Sequence, residues 1–130
     1  MKYFIEALKK YTVFKGRASR KEFWYFLLFY VILGIALLIA TFIPFINEPS
    51  NNNLFSLIIL PIMMIYISIF FFPLLTVTTR RLHDINLSGW WFFLNFIAWI
   101  GPIILLVLLA LPSAKKENKY GPSPKGIEVK

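Results

Sequence analysis

Three long blocks without a charged side chain dominate the pattern of hydrophobic and polar positions: residues 23–46, 54–79 and 90–111. As α-helices they would extend roughly 36, 39 and 33 Å, and the hydrocarbon core of a bilayer is about 30 Å thick. A chain in lipid must satisfy its own backbone hydrogen bonds, and the blocks lack the strict alternation of a barrel strand. We therefore predict an all-α membrane protein with an N-terminal interfacial helix and three hydrophobic helical spans.

The pattern divides the chain into one membrane domain, 1–130. The predicted parts are an interfacial segment at 1–18, spans at 19–46, 54–79 and 88–111, and a polar tail at 112–130. In the first segment, helical spacing places two sets of side chains on opposite faces: apolar Met1, Phe4, Ile5, Leu8 and Tyr11, and polar Lys2, Glu6, Lys9 and Lys10. Such a helix either lies in the lipid interface or packs on the spans of its own protein.

The third block permits two arrangements because Gly101 and Pro102 interrupt it and Asn95 places an amide within it. Three straight spans would leave nine basic residues inside and five outside. A hairpin broken at Gly101-Pro102 would re-enter and leave all fourteen on one side. Block length favours three spans.

The net charge of +8 comes from cations that lie beside the hydrophobic blocks, so it indicates anionic lipid and not nucleic acid as a partner. Seven of the fourteen Lys and Arg residues lie in 1–22, which predicts a cytoplasmic amino terminus. The first apolar block is too long for the core of a cleaved signal peptide. With no cysteine and one histidine, the sequence predicts neither a metal site nor a cofactor.

Two polar motifs flank the predicted spans. Ser19 and Glu22 have the spacing of a capping box at the start of the first span. In the second motif, Asp84 follows Arg80 by four residues and Arg81 by three, so one carboxylate can neutralise either guanidinium. The segment Ser88-Gly89-Trp90-Trp91 comes next, with Ser88 placed to cap the third span and the indole rings suited to headgroup depth.

These motifs resemble uncharacterised-domain family 805 of small bacterial inner-membrane proteins. The resemblance runs from Phe14 to Pro124 and is carried by Phe14, Gly16, Arg17, Ser19, Arg20, Glu22, Phe23 and Trp24, by Arg80-Arg81-Leu82-His83-Asp84, by Ser88-Gly89-Trp90-Trp91, and by Asn118, Tyr120-Gly121-Pro122 and Pro124. It implies a multi-pass protein of the bacterial cytoplasmic (inner) membrane and supplies no activity. It also suggests that the tail around Asn118 docks back on the protein.

The candidate site combines both motifs on the predicted cytoplasmic face. The residues proposed to bind an anionic lipid headgroup are Arg17, Arg20, Lys21, Arg80 and Arg81. The residues proposed to orient that site, or to serve a structural role, are His83, Asp84, Ser88, Trp90 and Trp91.

Four alternatives stay open at this level. The cations can simply anchor the chain beside an internal Arg to Asp pair. The protein can be a structural or assembly subunit that packs with other membrane proteins or with copies of itself. A small oligomeric transporter and a membrane enzyme using His83 and Asp84 are weaker, because no intramembrane acid and no nucleophile motif accompany them. No catalytic residue is assigned.

Overall fold

A computed structural model describes residues 2–47 and 53–124 of the chain. The elements are α1 (Lys2–Lys9), α2 (Arg20–Asn47), α3 (Asn53–Asp84), a 3-10 helix (Gly89–Phe96) and α4 (Ile100–Ala110). Within those residues the β-structure is limited to one isolated bridge between Asn118 and Gly121. The prediction of an all-α membrane protein is confirmed.

Two helices are long and apolar enough to cross a membrane, over Arg20–Ile43 and Leu57–Asp84. Only 6% and 11% of their most apolar windows are buried inside the protein, which distinguishes them from the core helices of a soluble fold. The side chains of Ile39 and Met64, for example, are more than half exposed. Because lipid can cover such surfaces at no hydrophobic cost, this exposure is what a membrane helix requires.

Helix α1 packs against the protein's own long helices. Phe4 stacks on Phe26 with ring centroids 5.7 Å apart and also lies against Phe29 and Phe70. Ala7 is fully buried, because its small side chain lets the α1 backbone approach the others closely. Of the two arrangements open to this segment, the structure has the one in which it packs on the spans. Met1 lies outside the described residues.

The third hydrophobic block is a hairpin of two short helices in place of one continuous span. The 3-10 helix ends at Phe96, and the 11-residue α4 begins at Ile100. Gly101 lets the start of α4 approach the 3-10 helix closely, since a Cβ atom at this position would lie 1.8 Å from the Leu94 carbonyl oxygen. The break therefore precedes Gly101-Pro102, and Pro102 lies in the first turn of α4, where a missing N–H costs little.

Both ends of this hairpin lie beside the carboxyl end of α3. The 3-10 helix begins five residues after Asp84, and at the other end the Leu109 carbonyl accepts a hydrogen bond from Arg81. The amide of Ala114 also donates to the Asp84 carbonyl. The tail consequently returns to the end of the long helices where α2 starts. We call this end, formed by residues 16–22, 80–84 and 109–124, the polar end.

Packing is concentrated near the polar end. The buried core consists of Ala7, Ala18, Phe23, Phe26, Val77, Leu82, Leu105 and Leu109. Towards the other end, α2 and α3 meet chiefly through Tyr30 and Tyr66, whose rings stack 5.2 Å apart while the Tyr66 hydroxyl donates to the Tyr30 carbonyl. Gly34 leaves room for that hydroxyl, which lies 3.2 Å from where a Cβ would be. The fold thus fixes the polar end most firmly.

Candidate functional site at the polar end

The start of α2 positions the first part of the site. Gly16 has a φ of +91°, a conformation that glycine adopts readily, and it turns the chain before α2. Ser19 then caps the helix, because its hydroxyl accepts a hydrogen bond from the Glu22 amide at 3.1 Å. Ser19 therefore acts as the capping-box pattern predicts. The Glu22 carboxylate turns to α3 and not to the Ser19 amide.

Glu22 forms a buried ion pair with Arg80. Its Oε1 lies 2.8 Å from Arg80 Nη1, and the two side chains are 7% and 2% exposed. The backbone at this point is also joined, since the Ala18 amide donates to the Arg80 carbonyl at 3.0 Å. The sequence had offered Asp84 as a partner for Arg80. The structure instead gives Arg80 the carboxylate of a different helix.

Asp84 holds two other arginines. Its Oδ1 accepts from Arg17 Nε at 2.9 Å, and its Oδ2 accepts from Arg81 Nη1. Arg81 and Asp84 are three residues apart on α3, whereas Arg17 is 67 residues away in sequence. All three side chains are at most 1% exposed. Buried charges of this kind require close partners, and here each has one.

The same two guanidinium groups bind the chain that follows α4. Arg17 donates to the carbonyls of Ala114 at 2.6 Å, Lys116 at 3.0 Å and Gly121 at 3.3 Å. Arg81 donates to the carbonyl of Leu109 at 3.1 Å and to that of Leu111. Arginine suits this task because its planar group carries five donors. We refer to Arg17, Arg81, Asp84 and these carbonyls as the clasp.

His83 holds the outer part of the tail. Its ring stacks on Tyr120 with centroids 3.8 Å apart and planes 4° from parallel. Its Nδ1 lies 3.2 Å from the Gly16 carbonyl, and its own carbonyl accepts from Asn118 Nδ2 at 2.9 Å. The tail therefore docks back as the family resemblance suggested. The described contacts of His83 are thus with backbone groups, the Asn118 amide and the Tyr120 ring.

The remaining predicted residues lie on the surface of the polar end or on the 3-10 helix that follows α3. Arg20 and Lys21 are exposed in the first turn of α2, and the exposed rings of Trp24 and Tyr25 lie about one turn further along the helix. Ser88 caps the 3-10 helix by accepting from the Trp90 amide at 3.4 Å, and the ring of Trp90 is 77% exposed. Trp91 is also exposed. These cations and rings are all exposed.

The five predicted headgroup residues thus fall into two groups. Arg17, Arg80 and Arg81 are buried, whereas Arg20 and Lys21 are exposed. Reasoning from the sequence missed the Glu22 pairing with Arg80 and the contacts of Arg17 with the tail. Glu22 carried a signal only as a capping residue, and nothing in the spacing of Arg17 indicated the carbonyls it binds.

An apolar cleft of about 160 Å³ lies just beyond the clasp, between α2, α3 and the hairpin. Leu74, Phe92 and Leu105 are among the side chains that line it, and Thr78 and Asn95 are its polar members. Across residues 2–47 and 53–124, no group of three or more His, Cys, Asp or Glu side chains is placed to hold a metal ion.

The two long, apolar and largely unburied helices identify an integral membrane protein. Residues 11–122 match the family described as "Protein of unknown function (DUF805)", and the chain belongs to that family.

Curated relatives agree with this class. The chain is 34% identical to "Inner membrane protein YhaI" of Escherichia coli K12 over 96% of this chain and 97% of that protein. It is 33% identical to "Inner membrane protein YhaH" of the same strain over 96% and 98% of the two chains. "Uncharacterized protein YiiR" is 26% identical over 90% and 89%. These names indicate no enzymatic activity, and no solved structure matches the chain.

Proposed function

We propose that the polar end binds the headgroups of anionic phospholipids at the cytoplasmic surface of the inner membrane, with Arg20 and Lys21 as the direct contacts. The observation that carries the proposal is the exposure of both cations in the first turn of α2, beside the exposed rings of Trp24 and Tyr25. Aromatic rings of this kind favour headgroup depth, where a phosphate meets the cations.

The charge balance of the polar end supports the same function. Four guanidinium groups, from Arg17, Arg20, Arg80 and Arg81, accompany the carboxylates of Glu22 and Asp84. Three buried guanidinium groups share the two buried carboxylates, which leaves one positive charge in excess, and the exposed Arg20 and Lys21 add two more. The exposed tail lysines Lys115, Lys116 and Lys119 add to it. Anionic lipid attracts such cations by about 1 kcal/mol each near the surface.

The intrinsic tryptophans allow a direct test in reconstituted vesicles. Brominated phosphatidylglycerol and brominated phosphatidylcholine each quench nearby indoles, so their relative effects give the preference of the protein surface for the anionic lipid. We expect a preference for phosphatidylglycerol that falls severalfold in the double variant Arg20→Gln, Lys21→Gln and declines with salt.

The matched control is Lys115→Gln, Lys116→Gln, which removes the same charge from the tail. It is expected to change the preference much less, because those lysines do not precede an aromatic pair on α2. Equal losses in both double variants would mean that attraction is diffuse and that α2 holds no headgroup site.

A further inference from the structure

Arg80 has an unused pair of donors. Its Nη1 faces Glu22, but Nε and Nη2 have no hydrogen-bond partner in the part of the chain that the structure describes. The residue is 1% exposed, so water does not freely solvate these atoms. A buried charged donor without a partner costs more than an unpaired neutral group, because it loses more favourable hydration.

Glu22 Oε1 accepts no hydrogen bond in the described part of the chain, although it lies 2.8 Å from Arg80 Nη1, while three polar groups on α3 have other partners. The Thr76 hydroxyl, one turn earlier on α3, lies 3.0 Å from the Phe72 and Pro73 carbonyls. The Arg80 carbonyl accepts from the Ala18 amide. Asp84, one turn later, is occupied by Arg17 and Arg81. None of these three groups accepts a hydrogen bond from Nε or Nη2 of Arg80.

The two vacant atoms have a specific geometry. The Nε–H and the adjacent Nη–H of an arginine point in parallel and match two oxygens of one phosphate or carboxylate. A lysine in the same place would offer a point charge without this fork. The arrangement also leaves Nη1 with Glu22, so the ion pair to α2 and a bidentate anion are compatible with each other.

We infer that Arg80 is a stoichiometric binding site for one anionic group with paired oxygens, a phosphate above all, held on its Nε and Nη2 atoms. This site differs from the exposed surface of Arg20 and Lys21, which attracts headgroups by charge and proximity. The phosphate can belong to a lipid headgroup or to a free anion, since both present the same oxygens. The inference does not depend on the proposed function of that surface.

The test uses the full-length protein, delipidated in a neutral detergent and titrated by calorimetry. One arm adds inorganic phosphate, and the other adds phosphatidic acid in mixed micelles. Saturation at one equivalent of inorganic phosphate identifies a site for a free anion. Saturation with phosphatidic acid alone identifies a site for a lipid headgroup. Either result supports the inference. Absence of one-equivalent binding in both arms overturns it.

Arg80→Lys is the decisive variant because it keeps a positive charge for Glu22 and loses the fork. We expect it to weaken binding about tenfold or more, the value of one charge-assisted hydrogen bond. The control Lys10→Gln removes an exposed positive charge outside the polar end and should retain one-equivalent binding. Equal affinity in Arg80→Lys and wild type would refute the assignment.

Glu22→Gln provides a second variant that leaves Arg80 unchanged. It removes the carboxylate charge that repels an incoming anion, so affinity should rise severalfold. This increase also separates binding from folding, because a merely damaged protein would bind less. Affinity that is unchanged or lower in Glu22→Gln counts against an anion on Arg80. Headgroup preference in vesicles can fail its own test without affecting any of these results.

Discussion

Substitution of Asp84 by alanine should be among the most destabilising single changes in this protein. The Asp84 carboxylate is fully buried and contacts both Arg17 and Arg81, which are themselves buried. Removal of one partner from a buried ion pair costs about 3–5 kcal/mol, because the remaining charge is left without compensation. Here two guanidinium groups lose their carboxylate, so we expect the upper part of that range.

Glu117→Ala is the matched control, since it removes an exposed carboxylate from the tail near the same end. Surface changes of this type usually alter stability by less than about 0.5 kcal/mol. Reversible unfolding by sodium dodecyl sulfate in mixed micelles, followed by circular dichroism, gives both free energies. A difference between Asp84→Ala and Glu117→Ala of less than about 1 kcal/mol would refute the role of the clasp.

Three further predictions concern other parts of the fold. A reporter fused after residue 130 should lie on the same side of the membrane as the amino terminus, because the hairpin returns the tail to Arg17; opposite-side labelling would contradict this arrangement. Gly89→Ala should lower the thermal unfolding temperature, since a Cβ atom would lie 2.6 Å from Thr79 Cγ2. Adding Thr79→Ser removes that methyl group and should restore most of the lost unfolding temperature. If it does not, the strain does not come from this contact. Ser19→Ala should cost about 1 kcal/mol by removing the α2 cap, whereas the conservative Ser19→Thr should stay near wild type in the same unfolding assay.

Local patterns in the sequence anticipate the elements that depend on neighbouring residues. The length of the first two charge-free blocks predicts α2 and α3. The structure extends α3 five residues beyond residue 79, so the Arg80 to Asp84 motif lies within the helix. The capping roles of Ser19 and Ser88 also follow from spacing alone. In each case the interaction is made within a few residues of the side chain concerned, so the pattern contains it.

The remaining features depend on contacts between distant segments. No local pattern indicates that Arg17 contacts Asp84, 67 residues away in sequence. Likewise, no local pattern indicates that Arg80 pairs with Glu22 and not with Asp84, which is closer in sequence. The hairpin depends on the approach of Gly101 to Leu94. The length of the charge-free block alone cannot distinguish such a hairpin from one continuous span. The candidate site was therefore predictable as a group of residues, while its division into buried and exposed members was not.

The clasp also imposes an order on biosynthesis. Arg17 emerges from the ribosome early, but the carbonyls of Lys116 and Gly121 that it binds are separated from it by 99 and 104 residues. Asp84 can join Arg81 within one helical turn as soon as α3 forms, yet the guanidinium of Arg17 gains its last acceptor only after Gly121 has been synthesised. A nascent chain that has not reached residue 114 lacks the three tail carbonyls that Arg17 binds, so the early and late segments of the clasp are joined last.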